Sequence, residues 1–141
     1  MRIFEKYPYS VILVSLLMMW KKGTICVVAD AAEVTVKIVP DYPGSSSFVI
    51  HCESGDDDLG GHIVVQGSLY SFKFSPNAWG MTLFHCAVER EGKGLSFEMY
   101  NENRDLISRC EKICLWKVRP DGVAGFAEHW DNPDLYFPWT R

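Results

Sequence analysis

The sequence predicts an all-β fold, a small antiparallel β-sandwich of about seven to eight strands held by two disulfides. Three observations carry that expectation: apolar and polar residues alternate at period two, turn-forming residues recur between the alternating runs, and four cysteines remain once a leader is set aside. At 141 residues the chain holds one domain, and with 48% hydrophobic and 23% charged residues it can bury a core.

Residues 1–31 read as a secretory signal peptide. Arg2 and Lys6 precede Val11 to Trp20, ten residues of which nine are apolar, and Ala29-Asp30-Ala31 supplies the small residues of a cleavage site. Ten residues make a helix of about 15 Å, half of the roughly 30 Å hydrocarbon core of a bilayer, so the run is too short to cross one. Lys21 and Lys22 lengthen the stretch before Ala31 and leave an uncleaved anchor, or another cut site, as the alternative. The expected domain is therefore 32–141, extracellular and without a membrane span.

Removing the leader takes away Arg2, Lys6, Lys21, Lys22, Glu5 and Asp30. The 14 basic residues fall to 10 and the 18 acidic ones to 16, a net charge of about −6. No basic cluster is left to neutralise nucleic-acid phosphates or to draw the chain to an anionic membrane surface.

The strands follow in order. Val34, Val36 and Ile38 alternate with Glu33, Thr35 and Lys37; Phe48, Ile50 and Cys52 share the face of the next run. A short strand over 61–66 precedes a run over 68–74 that lines up Tyr70, Phe72 and Phe74. Thr82 to Glu89 lines up Phe84, Cys86 and Val88, and then Leu95, Phe97 and Met99 form a row. Ile113 to Arg119 and a weaker run at Val123 to Ala127 complete the set. Pro43-Gly44, Gly60-Gly61, Pro76-Asn77, Gly92 and Asp121-Gly122 punctuate them. No amphipathic helix of three turns is expected after the leader.

Cys26 departs with the leader, and Cys52, Cys86, Cys110 and Cys114 form an even set in a short secreted chain, which reads as two disulfides. Zinc motifs need two close pairs, and only Cys110 and Cys114 are close. Three pairings are possible, and the sequence does not choose among them.

Asp56-Asp57-Asp58 is the most conspicuous polar run. An EF-hand loop spaces its acidic ligands at alternate positions and ends in a distant Glu, which this run lacks, so calcium is not expected. A glycosidase needs two carboxylates across a cleft, which neighbours in a turn do not provide. The expected arrangement is a turn whose aspartates bond nearby backbone amides, whose glycines permit unusual dihedrals, and whose Leu59 anchors it to the core. If Cys52 and Cys86 point inward, alternation turns His51 and His85 outward. Trp116 is expected in the core, Trp79 in an exposed turn. The aromatic tail, with Trp130, Tyr136, Phe137 and Trp139, either covers a gap in the sandwich or forms a recognition segment.

Four strings of residues carry a resemblance. They are His51-Cys52-x-Ser54-x-Asp56-Asp57-Asp58-Leu59-Gly60, Tyr70-x-Phe72-x-Phe74, Asn77-x-Trp79-Gly80-x-Thr82-Leu83-Phe84-x-Cys86, and Cys110-x-x-x-Cys114-x-Trp116-x-Val118 with Asp121-Gly122. In this order and spacing, the chain from Val34 to about Gly125 resembles the plant self-incompatibility proteins, the S-protein homologues. The resemblance implies a secreted β-sandwich with two disulfides, no catalytic apparatus, and a role as a ligand; founding members are pistil-side ligands read by a pollen receptor. It maps Asp56 to Gly60 onto the family's acidic loop and the four cysteines onto the family's cysteines. The chain departs in its leader, in Gly55, and in lacking an N-x-Ser/Thr acceptor.

The expected function is a secreted, non-enzymatic protein ligand that a cell-surface receptor recognises through loops on a rigid scaffold. Expected contacts are Asp56, Asp57 and Asp58 with Asn103, Arg104 and Asp105; no cofactor, metal or catalytic residue is expected. Two alternatives stand beside it: a secreted hydrolase using carboxylates, and a carbohydrate-binding sandwich with Trp79 and the tail aromatics as a flat platform.

Overall fold

The computed structural model describes residues 32–141 apart from Ala78, so the expected leader lies outside the described residues. Among the described residues nine strands build two sheets. One sheet orders β4 (Tyr70–Phe74), β1 (Val34–Pro40), β7 (Ile113–Arg119), β8 (Gly122–Phe126) and β9 (Leu135–Pro138). The other orders β3 (Asp58–Val64), β2 (Phe48–Glu53), β5 (Leu83–Arg90) and β6 (Lys93–Asn101). Among the described residues no helix is long and apolar enough to cross a membrane.

Alternation works as the sequence implies. Phe48, Ile50 and Cys52 on β2 and Phe84, Cys86 and Val88 on β5 are buried, while Val49, His51, Glu53, His85 and Glu89 face outward. The cysteines pair as Cys52–Cys86, between neighbouring strands, and Cys110–Cys114, in the turn that leads into β7. Met99 fills the space beside the first bridge, its sulfur 3.4 Å from that of Cys86.

Aromatic side chains join the sheets. Trp116, fully buried on β7, lies with its ring 5.0 Å from Phe97 on β6 and 6.0 Å from Phe137 on β9. Phe74 lies 4.7 Å from both Phe84 and Tyr100 at the other flank of the core. Each such side chain, fully buried, contributes about 1.5–3 kcal/mol. Burial also pushes the Tyr100 phenol up to about 12, helped by the nearby charges of Asp105 and Glu102.

Two expectations need correction. The sandwich is not wholly antiparallel, since β1 runs parallel to β7 with Thr35 opposite Ile113 and Ile38 opposite Trp116. A ninth strand exists because Leu135–Pro138 pairs with β8 and turns Phe137 and Trp139 against the core, so this part of the tail closes the sandwich. A single helical turn, α1 (Glu102–Asp105), follows β6.

Replacing Cys52 and Cys86 together by alanine removes a bridge between residues 34 apart in sequence and should lower stability by about 4 kcal/mol, against about 2 kcal/mol for Cys110 with Cys114, four apart. Gly125→Ala would set a Cβ 2.7 Å from the Trp116 ring and should cost about 1–3 kcal/mol. Urea unfolding of the oxidised proteins measures all three.

Candidate functional site

The acidic turn is closed by serine. Ser54 donates its backbone N–H to the Asp57 carbonyl at 2.7 Å, and its hydroxyl accepts from the N–H groups of Asp57 and Asp56 at 3.1 and 3.4 Å. Asp58, on the first residue of β3, behaves differently. Its Oδ1 accepts from Gly60 N–H at 2.9 Å and lies 2.5 Å from His51 Nε2. The bond from Gly60, then that from His51, holds the Asp58 carboxyl below its usual value, while the hydrogen bond and charge of Asp58 raise His51. The expectation that all three aspartates bond the backbone is corrected: Asp56 and Asp57 make no side-chain hydrogen bond to any described residue and are exposed. Leu59 packs against the core as expected.

Facing this turn is the segment between β4 and β5. Asn77 Oδ1 accepts from the N–H groups of Trp79 and Met81, each at 3.1 Å, and Thr82 Oγ1 accepts from Asn77 N–H at 2.8 Å. Gly80 completes it with φ +71°, and a Cβ there would also sit 3.2 Å from the buried Glu102 carboxylate. The result lifts Trp79 and Met81 into solvent, 82% and 71% exposed. Between the two segments lies a cleft of about 610 Å³. Glu53, Asp56 and Asp57 form its acidic side, with Phe74, Met81 and Leu83 among its apolar lining. Met81 and Leu83 were missed in the sequence. The signal for Leu83 was present: with Phe84, Cys86 and Val88 inward, Leu83 must face out.

The other expected contacts are not brought to this cleft. Asp105 is fully buried and accepts from Asn101 N–H at 2.8 Å, from Arg104 Nε and Nη2 at 2.8 Å, and from Arg109 Nη1 at 2.6 Å. Arg109 reaches on to Asp134 through Nε and Nη2, at 2.5 and 2.7 Å. Arg104 Nη2 also donates to the carbonyls of Glu98 and Met99. Both guanidinium groups lie 5.8 Å from the Trp116 ring. Asp105 and Arg104 are thereby engaged in a structural network, and Asn103 is the exposed member of the three. Sequence reasoning took loop polarity for exposure.

Comparison with known proteins decides kinship. The profile of "Plant self-incompatibility protein S1" matches residues 35–139. The chain belongs to the plant self-incompatibility protein S1 family. Among relatives in this family, S-protein homolog 5 of Arabidopsis thaliana is 40% identical over 105 residues, covering 74% of this chain and 77% of the relative. S-protein homolog 2 of the same plant is 34% identical over 110 residues, covering 76% and 68%. A solved structure of SPH (Self-Incompatibility Protein Homologue) proteins, described as a widespread family of small, highly stable, secreted proteins from plants, superposes with a TM-score of 0.60 at 18% identity. It covers 77% of this chain and 95% of its own, and shares the fold.

Two outcomes test this division of roles. Asp105→Ala leaves two arginines around an uncompensated buried position and should destabilise by about 3–5 kcal/mol, read by thermal or urea unfolding. Arg109, by hydrogen bonding Asp134, holds that carboxyl below its ordinary 3.8. A carboxyl depressed in the folded state stabilises fully above its unfolded pKa, and that contribution is lost as pH falls through the lower folded value. An unfolding midpoint followed downward from pH 5 should therefore drop below about pH 4, and Asp134→Asn should flatten that part of the drop.

Proposed function

We propose that this chain is a secreted, non-enzymatic protein ligand of the plant self-incompatibility type, acting in cell–cell signalling or the rejection of self pollen. Its cell-surface receptor reads it at the cleft between the acidic turn and segment 77–83. The observation that carries this reading is the pairing of unengaged Asp56 and Asp57 with exposed Trp79 and Met81 on segments fixed by their own backbone hydrogen bonds. Such a surface offers an apolar side chain, Met81, beside charges that select a partner, with Trp79 exposed on the same segment as an aromatic anchor. Family membership supports a ligand more broadly than it supports pollen rejection.

The alternatives have less support. A carboxylate hydrolase needs acids on opposite walls, and the acidic residues of this cleft all come from the single segment 53–57. The four cysteines are bridged, which leaves no thiolate nucleophile among them. A carbohydrate platform needs the tail aromatics beside Trp79, whereas Phe137 and Trp139 pack against the core.

Binding of labelled, oxidised protein to plant cell surfaces, pollen included, tests the reading. Asp56→Lys with Asp57→Lys, and Trp79→Ala separately, should each weaken saturable binding by at least about tenfold while the thermal midpoint stays within about 2 °C. Equal loss of stability would make the turn structural. Turnover of a glycoside, or selective binding to a glycan array, would replace the proposal.

A further inference from the structure

The outer face of β2 and β3 carries a second group of side chains. His51 and Glu53, two apart on β2, point the same way by alternation. Asp58 joins them through a bulge. His51 pairs with Gly61 and Glu53 with Asp58, so two steps on β2 are matched by three on β3. Unbroken alternation counted from Gly61 would have turned Leu59 outward and Asp58 inward; the extra residue sends Leu59 to the core and Asp58 to His51. A strand irregularity that re-aims one carboxylate beside an imidazole and a second carboxylate assembles three ligands of different chains of reach on one exposed face. Their donor atoms lie within 4.8 Å of one another.

We propose that His51, Glu53 and Asp58 bind a divalent transition ion of the zinc class. One imidazole nitrogen with two carboxylate oxygens suits zinc, which takes four ligands at about 2.0–2.2 Å, rather than calcium, which wants six to eight oxygens. Around such an ion neighbouring donors stand about 3.3 Å apart, so His51 and Asp58, at 2.5 Å, open by just under an ångström while Glu53, within 4.8 Å, closes in, movements open to exposed rotamers. The 2.5 Å contact between His51 and Asp58 gives way to two bonds to the ion, and Gly60 N–H, already on Asp58 Oδ1, orients that ligand. Solvent fills the fourth position. Two further side chains stand across this face: His85, opposite Glu53 on β5, and Glu98, opposite His85 on β6, the latter adding negative charge that favours a cation. The site is distinct from the contacts of Asp56 and Asp57, although Glu53 also lines the cleft.

Titration of the oxidised, chelator-stripped protein with zinc chloride near neutral pH, by calorimetry and by NMR of the histidine rings, tests this directly. Expected are one equivalent bound, with His51 the ring most perturbed, and at least about a tenfold loss of affinity in His51→Ala and in Asp58→Asn. His62→Ala should bind as the parent does, because that ring is engaged elsewhere, with the Leu59 carbonyl and edge-on to Tyr70. Magnesium chloride at the same concentrations should give no saturation. Since Asp58 also braces the turn, His51→Ala, with an unchanged thermal midpoint, is the deciding variant. Absence of saturable zinc binding below millimolar concentration, or an affinity that His51→Ala leaves unaltered, overturns the proposal.

Discussion

The covalent bond between Cys52 and Cys86 sets the terms for most of this molecule. The two residues face one another across β2 and β5, with their Cα atoms 4.1 Å apart, so the bond pins the register of the pair near one end of the ladder. Side chains alternate along a strand, and a register slip of one residue would exchange the two faces of the sheet. With the sulfurs locked inward, Phe84 and Ile50 must lie in the core, and His51, Glu53 and His85 must lie outside. The bond and the apolar alternation of both strands agree on which face of this sheet is the interior.

That agreement explains why much of the architecture was legible. Among the described residues eight of the nine strands were read from the sequence; runs such as β5, where every second residue is buried, gave the clearest signal, whereas β8, buried at all five positions, gave a weaker one. The solvated positions of the two histidines followed from their cysteine neighbours. β9 escaped notice because it is four residues long and bounded by prolines, and its identity as a strand comes from pairing with β8. The parallel union of β1 and β7 is likewise a property of the assembled sheet; nothing local in either run encodes its partner.

The site was legible in part, and the failures share a cause. Asp56, Asp57 and Asp58 look alike in sequence but divide by their neighbours: a serine hydroxyl closes the turn, which frees the first two, and a bulge commits the third to His51. The Asn103-Arg104-Asp105 stretch has the composition of a solvated loop. Asp105 is nonetheless buried, because Arg104 and Arg109 converge on it while their planar groups lie over Trp116. Arg109 and Asp134, 25 residues apart, have no relation that a linear pattern reveals. Ionic partners of this kind are chosen by the tertiary structure, and their charges resemble surface charges until it forms.

The central place of β1 has a temporal consequence. This first of the described strands is hydrogen-bonded on one side to β4 and on the other to β7, whose residues follow almost eighty positions later. During synthesis β1 must wait, its inward valines and isoleucine unpaired on one side, until nearly all of the domain has emerged. Contacts so distant along the chain make closure slow relative to a helical domain of equal length. A nascent form with a persistent open edge is the species that chaperones of the secretory route would meet.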